Sequence, residues 1–358
     1  MKRVILWLFI AWRLTTFAYG LDTVDTLLAA LPDQTQNLIE KVELSTIDGL
    51  LEGIDALLTA GTDLVAEVVR SQLTTVALIL VTVILCAMVE SIHGDLKQEN
   101  LALPMVGALS VSLLSAGSLE SMMGLGASTI ETLEVFSHVL LPTMAAATAA
   151  SGAVTSATVG QVTTVFFVDL LISAINQLLL PMVYLYIGAI TASAMLQKGN
   201  PMDTLASVLK RGITWLLCSG LFLFTLYLSV MRVMAGSVDG VSVKIARTTI
   251  SGVVPVVGSI IADASEAVLS GAGVLKNTVG IAGTLGILGC CLYPFLQLGV
   301  QYLLYKITAF LASLVGSSGL CKLIDGLGGA FGLVLGMTGA CALLLLISVL
   351  SSVGAVVP

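Results

Sequence analysis

Apolar runs long enough to cross a membrane follow one another from Leu73 to the end of the chain. Each crossing needs about 20 apolar residues, so the long run Val159–Leu196 is expected to cross twice, with a break near Gln177 and Pro181. The predicted spans are Leu73–Val89, Leu101–Leu119, Val135–Ala157, the two within Val159–Leu196, Ile213–Met234, Thr278–Leu298 and Gly328–Val353. Residues 299–316 either form a span of their own or extend the one before. The pattern predicts an all-α polytopic membrane protein with about seven or eight transmembrane helices.

The segment in front of these spans is acidic and amphipathic. Residues 21–70 carry ten Asp or Glu side chains against Lys41 and Arg70. Between residues 47 and 68, apolar side chains recur at steps of three and four with acids on the opposite face, which predicts a helix. An acidic face is repelled by anionic lipid, so we expect this helix to dock on protein, either the chain's own body or a partner.

A targeting segment is predicted at the N-terminus. Lys2 and Arg3 precede an apolar stretch, and Ala18-Tyr19-Gly20 is a small-x-small cleavage site, as in a secretory signal peptide. An uncleaved anchor is the alternative. Either arrangement exports residues 21–70, and five crossings then place the basic loop 197–212 in the cytoplasm. The predicted parts are a signal peptide (1–20), an exported acidic segment (21–70), transmembrane helices 1–6 (71–234), an external or re-entrant amphipathic segment (235–277) and C-terminal transmembrane helices (278–358).

Composition supports the membrane class and argues against other functions. The chain is 57% hydrophobic and 10% charged, with a mean hydropathy of +1.05, whereas about 25% of residues are charged in soluble domains. No basic cluster could neutralise nucleic-acid phosphates. The six cysteines lie in or beside apolar segments without CxxC spacing. Because nucleotide, protease and nucleophile motifs are also missing from the sequence, we expect a protein that is not an enzyme and has no catalytic residue, cofactor or metal site.

Four polar residues fall on one side of the fourth predicted span, at steps of eight, four and three: Gln161, Asp169, Ser173 and Asn176. A carboxylate at membrane depth costs at least a few kcal/mol unless it is paired or hydrated. Asp169 is therefore expected to face the bundle interior or a wet cavity. This polar face is predicted either to line an aqueous pathway or to join helices by hydrogen bonds.

Two further segments are candidates for contacts. Gly328, Gly332 and Gly336 repeat every four residues on the last span and predict close helix packing, within the chain or between subunits. In 235–277, a Gly/Pro turn and an amphipathic helix precede the next span, which predicts a re-entrant hairpin or an external collar at the mouth of the bundle. The candidate partner residues of this mouth element are Pro255, Gly258, Asp263, Lys276 and Asn277.

The turn Val254-Pro255-Val256-Val257-Gly258 and the run Leu275-Lys276-Asn277-Thr278-Val279-Gly280-Ile281 resemble those of the stage III sporulation protein AE family of endospore-forming bacteria. The resemblance covers about residues 240–300, and the layout of the whole chain agrees with it. It implies a component, thought to be the permease-like core, of the multiprotein channel that joins mother cell and forespore. The implied location is the mother-cell membrane around the forespore, and the implied role is support of forespore development and late forespore gene expression.

The same resemblance implies partners in that complex, namely a cytoplasmic secretion-type ATPase and ring-forming membrane proteins, besides the lipid bilayer. The alternative function is a stand-alone secondary transporter of a small solute. Such transporters are often built from repeated halves with paired broken helices. The breaks at 177–181 and 252–258 could form such a pair, but the sequence contains no convincing internal repeat.

Overall fold

The computed structural model describes residues 27, 29–32, 35–36, 47–93, 102–196, 200–253, 258–315 and 318–354. In these parts of the chain, all regular structure is helical. The helices are α1 (Ile47–His93), α2 (Ala102–Ala150), α3 (Val154–Ala174), a π-helical turn (Ile175–Leu179), α4 (Leu180–Met195), α5 (Pro201–Val253), α6 (Gly258–Val315) and α7 (Ser318–Val353). The predicted all-α class is confirmed. The predicted signal peptide lies outside the described residues.

Helix α1 joins the acidic segment and the first predicted span without a break. Its amphipathic part packs on α6: a Cβ atom at Gly53 would lie 2.7 Å from Leu285, and one at Gly61 would lie 3.2 Å from Leu296. Leu57 is buried in this contact. The helix therefore docks on the chain's own body, which is one of the two surfaces that its pattern predicts.

Helix α2 corrects the prediction of separate spans at Leu101–Leu119 and Val135–Ala157. Both lie on one helix of 49 residues, about 73 Å long at 1.5 Å per residue. The intervening residues include Glu120 and Glu131, which a turn would explain, but both side chains are exposed on the helix surface instead. The charged stretch between the two predicted spans therefore continues the helix and does not form a turn.

The two crossings predicted within Val159–Leu196 are also wrong. Helices α3 and α4 continue one another through the π-helical turn, and Pro181 lies in the first turn of α4. Proline has no N–H to donate and its ring clashes with the preceding turn. The wider π-helical turn accommodates the proline without reversing the chain.

In the described parts of the chain, six helices are long and apolar enough to cross a membrane, with α3 and α4 counted as one. These six helices are fewer than the seven or eight predicted for the whole chain, and that count stays a prediction. Residues 299–315 extend α6 rather than forming a span of their own. Three of these membrane-length helices, namely α1, α2 and the combined α3–α4, precede Pro201, whereas the sequence predicts five crossings there. Both numbers are odd, so the predicted sidedness of Pro201 relative to Ile47 does not change.

Helix α7 occupies the centre of the bundle, in contact with every helix from α2 to α6. Its glycines let neighbours approach, since a Cβ atom at Gly326 would lie 2.9 Å from Ile190 of α4. Leu27 and Leu31 from the N-terminal segment are also buried in the core. These residues of the segment predicted to be exported are therefore part of the helical body.

Candidate functional site

A buried polar cluster joins α1, α2 and α6. Gln72 Oε1 accepts a hydrogen bond from Gln301 Nε2 at 3.3 Å and one from Ser118 Oγ at 3.5 Å. Ser115 and Tyr305, on the same two helices α2 and α6, are fully buried. We call these five residues the polar cluster. Gln72 and Gln301 lie just outside the predicted spans Leu73–Val89 and Thr278–Leu298, whereas Ser115 and Ser118 lie within the predicted span Leu101–Leu119.

Two amide oxygens, Gln301 Oε1 and the adjacent Gln297 Oε1, have no hydrogen-bond partner among the described residues. The Tyr305 hydroxyl lies near those of Ser115 and Ser118, but no pair among them is close enough for a full hydrogen bond. An unsatisfied buried polar group costs about 1–3 kcal/mol. Neutral polar groups in a membrane bundle either join helices by hydrogen bonds or line routes for polar species. The cluster is chemically suited to hold water or a polar solute by hydrogen bonds, and it offers no nucleophile with an adjacent base.

The polar face predicted on the fourth span is separate from the polar cluster. The periodicity holds, because Val168, Ile172 and Ile175 form the buried side of this helix. Gln161 is half-buried, however, and Asp169, Ser173 and Asn176 are exposed. The expectation that Asp169 faces the interior of this chain's own bundle is therefore wrong. A role of these four residues in a pathway or in contacts between subunits stays a prediction.

Asp169 has two polar neighbours that its sequence position does not reveal. Glu134 and His138, one turn apart on α2, lie beside it, and one side-chain ligand atom from each of the three residues lies within 4.8 Å of the other two. Carboxylates and an imidazole are metal ligands, so this group is where the described residues could hold a metal ion.

The connection between α2 and α3 is fixed by a residue of α5. Gly152 has a φ of 93°, and Ala153 N–H donates to Thr148 O, which forms a Schellman turn at the end of α2. Asp239 then accepts hydrogen bonds from the backbone N–H groups of Thr155 and Ser156, both at 2.8 Å. Because Ala153 has no side-chain acceptor, Asp239 caps α3 from another helix.

This capping carboxylate is buried. Burial acts to raise the pKa of Asp239, but the hydrogen bonds from Ser156 and Thr155 outweigh it, so the pKa is lowered. Sequence reasoning missed Asp239 because its partners lie more than 80 positions earlier.

The predicted mouth element is the end of one long helix and the beginning of the next. Residues 235–253 continue α5, and Gly258 and Asp263 belong to the first turns of α6. Pro255 lies outside the described residues. Lys276 is buried and Asn277 is exposed. The two helices extend at the end of the molecule where Asp239 caps α3, and contacts of this element with partners stay a prediction.

The glycine ridge of the last span packs within the chain at two of its positions. A Cβ atom at Gly328 would lie 3.1 Å from Tyr305 Cβ, and one at Gly332 would lie 3.1 Å from the Tyr302 ring. Gly336 is exposed. Sequence reasoning missed Gly326, whose carbonyl accepts a hydrogen bond from the Tyr186 hydroxyl at 3.1 Å.

The six long apolar helices and the mean hydropathy of +1.05 define a multi-pass helical membrane protein. The family model for stage III sporulation protein AE matches residues 38–355, and the chain belongs to this family. Stage III sporulation protein AE of Bacillus subtilis (strain 168) is 24% identical over 250 residues, which cover 69% of this chain. The matched part spans 62% of the length of that relative. No solved structure matches the chain.

Proposed function

We propose that this chain is the permease-like core of the multiprotein channel that joins mother cell and forespore during sporulation. It acts in the mother-cell membrane around the forespore, beside a secretion-type ATPase and ring-forming membrane proteins. Family membership supports the sporulation role. The channel role rests on the polar cluster, because a bundle of membrane-length helices keeps unsatisfied polar groups in its core.

The polar cluster gives a direct test. Replacing Gln72 and Gln301 together by Leu removes both partners of their hydrogen bond. Only the half-buried Ser118 loses an acceptor, at 3.5 Å, so stability changes little. We expect normal protein abundance and a strong loss of heat-resistant spores. Normal spore yield from the abundant double variant would remove the cluster from the proposed route.

A matched control is the buried pair Thr164 and Ser348, whose hydroxyls form a hydrogen bond between α3 and α7. Thr164→Val combined with Ser348→Ala also replaces a buried polar pair by apolar groups. We expect spore yield close to the wild type, because this pair lies outside the polar cluster. Equal losses in both double variants would show that any buried polar deletion has the same effect.

Membership of a complex is tested separately. The tagged chain, purified in mild detergent from sporulating cells, is expected to retain an ATPase subunit and ring-forming membrane proteins, as mass spectrometry would show. A chain that is recovered alone under several mild detergents, while it supports sporulation, would contradict the role as a channel component.

A further inference from the structure

Glu134, His138 and Asp169 form a three-sided group on the outer surface of α2 and α3. One ligand atom from each lies within 4.8 Å of the other two. Ligand atoms bound to one Zn²⁺ at about 2.0–2.2 Å are roughly 3–3.5 Å apart. His138 and Asp169 are exposed, so small side-chain rotations close a remaining distance of at most about 1.5 Å. The backbone thus already places three ligands around one point.

The surroundings of this group are apolar. Val135, Phe166 and Leu170 are large exposed apolar side chains next to its members, and all three members lie within candidate membrane spans. In the described parts of the chain, no Lys or Arg forms an ion pair with any of them. Two carboxylates in an apolar environment repel each other and need a compensating positive charge. One divalent cation neutralises both, and the neutral imidazole completes the ligand set.

A small cavity lies beside this group. Glu134 borders it between α2, α3 and α7, together with Val168, Ile172 and Cys341. Cys341 is a free cysteine that is 5% exposed. Inside the bundle, its thiol therefore adds a further metal-ligand type near Glu134.

We propose that Glu134, His138 and Asp169 bind a divalent first-row transition-metal ion. The mixed carboxylate and imidazole set suits ions such as Zn²⁺ or Mn²⁺, whereas Mg²⁺ prefers oxygen ligands alone. Three protein ligands leave a coordination position open. The ion links the second half of α2 to the second half of α3. This inference does not depend on the proposed channel role.

The test uses the full chain, purified in detergent, stripped with a chelator and titrated with Zn²⁺ by calorimetry. We expect one equivalent to bind in the presence of excess Mg²⁺. His138→Ala and Asp169→Asn should each weaken binding by at least about tenfold, since even residues that only support metal ligands contribute 10–100-fold. Glu131→Gln is the control: Glu131 is an exposed acid on α2 outside the group, and its loss should leave binding unchanged.

A second measurement covers variants that fail to fold. Co²⁺ added to the wild-type chain should give visible absorption bands of a low-symmetry site, and Zn²⁺ should abolish them. Absence of Zn²⁺ binding to the wild-type chain would overturn the proposal. The carboxylates would then be neutralised by protonation instead of by a metal ion. Equal binding by the wild type and by folded His138→Ala and Asp169→Asn variants would overturn it as well.

Discussion

Asp239 shows how one carboxylate can determine a chain connection. Its two hydrogen bonds to the start of α3 satisfy backbone donors that the local sequence leaves without a cap. A negative charge at a helix N-terminus is also favoured by the helix dipole. This residue therefore connects α5 to the start of α3 through two hydrogen bonds.

Asp239→Ala should lower the free energy of unfolding by about 0.5–2 kcal/mol, as expected for the loss of an N-cap. Asp239→Asn retains an acceptor and should lose less. Thermal unfolding of the purified chain in detergent measures both. Equal stability of the alanine variant and the wild type would show that the cap does not stabilise the fold.

The pH dependence of this contribution has a defined sign. The folded-state pKa of Asp239 is lowered, so the stabilisation by its charge is complete above the ordinary Asp pKa of about 3.9 and is lost as pH falls through the lowered value. The difference in melting temperature between wild type and Asp239→Asn should be largest near neutral pH and disappear in acid. A difference that grows below about pH 4 would contradict the assignment.

Single polar residues within apolar spans were the hardest features to predict. Gln72 and Gln301 are hydrogen-bond partners that lie 229 positions apart in the chain. The residues around each of them give no sign that its amide has a partner. Asp169 was identified because its cost in lipid is large, but the helix face that packs inward depends on neighbours that the sequence does not identify. Such polar residues can therefore be identified from the sequence, whereas their partners can be identified only from the fold.

At the scale of the helices, periodicity predicted helix type and amphipathic faces well. Breaks were predicted poorly, because charged or proline-containing stretches in α2 and between α3 and α4 continue the helix. The exposed carboxylates lie on the outer surface of the helix and need no turn to leave the bundle. The π-helical turn accommodates Pro181. Polarity alone therefore does not mark a chain reversal, whereas Asn200 with Pro201 does. Asn200 Oδ1 caps α5 by accepting from Met202 N–H at 2.9 Å.

The contact between α1 and α6 can be tested with two adjacent leucines. Leu57 is 5% exposed and Leu58 is 63% exposed. Leu57→Ala should lower the free energy of unfolding by about 2–5 kcal/mol because it leaves a cavity, whereas Leu58→Ala should change it by less than about 0.5 kcal/mol. Thermal unfolding in detergent measures both variants. Equal effects would show that α1 does not dock through this face.

The exposed side of α1 is available to partners. Leu51→Asp combined with Leu58→Asp should leave folding intact, since both side chains are exposed, and should reduce recovery of the complex from sporulating cells. Unchanged recovery and normal spore yield would remove this face from the interaction surfaces.

Two glycines of α2 test its contact with α7. A Cβ atom at Gly126 would fall on Val334, whereas one at Gly124 would meet nothing within 4 Å. Gly126→Val should destabilise the chain by about 1–3 kcal/mol through overpacking, and Gly124→Val is the matched control with an effect below about 0.5 kcal/mol. Similar unfolding temperatures for the two variants would contradict the close approach of the two helices.

At the scale of the whole molecule, the helix directions predict the sidedness of the loops. In a background without the six native cysteines, a cysteine at Gly199 should react with an impermeant thiol reagent only after the membrane is opened. A cysteine at Thr59, which is exposed on α1, should react in intact protoplasts. Labelling of Gly199 in intact protoplasts would reverse the orientation.

The cap that Asp239 supplies also has a consequence for the order of events during synthesis. Thr155 leaves the ribosome 84 residues before its partner, which is roughly 4–17 s at 5–20 residues per second. During that interval Asp239 is not yet available to accept from the first turn of α3. The connection between α2 and α3 therefore acquires its cap only after α5 has been synthesised as far as Asp239.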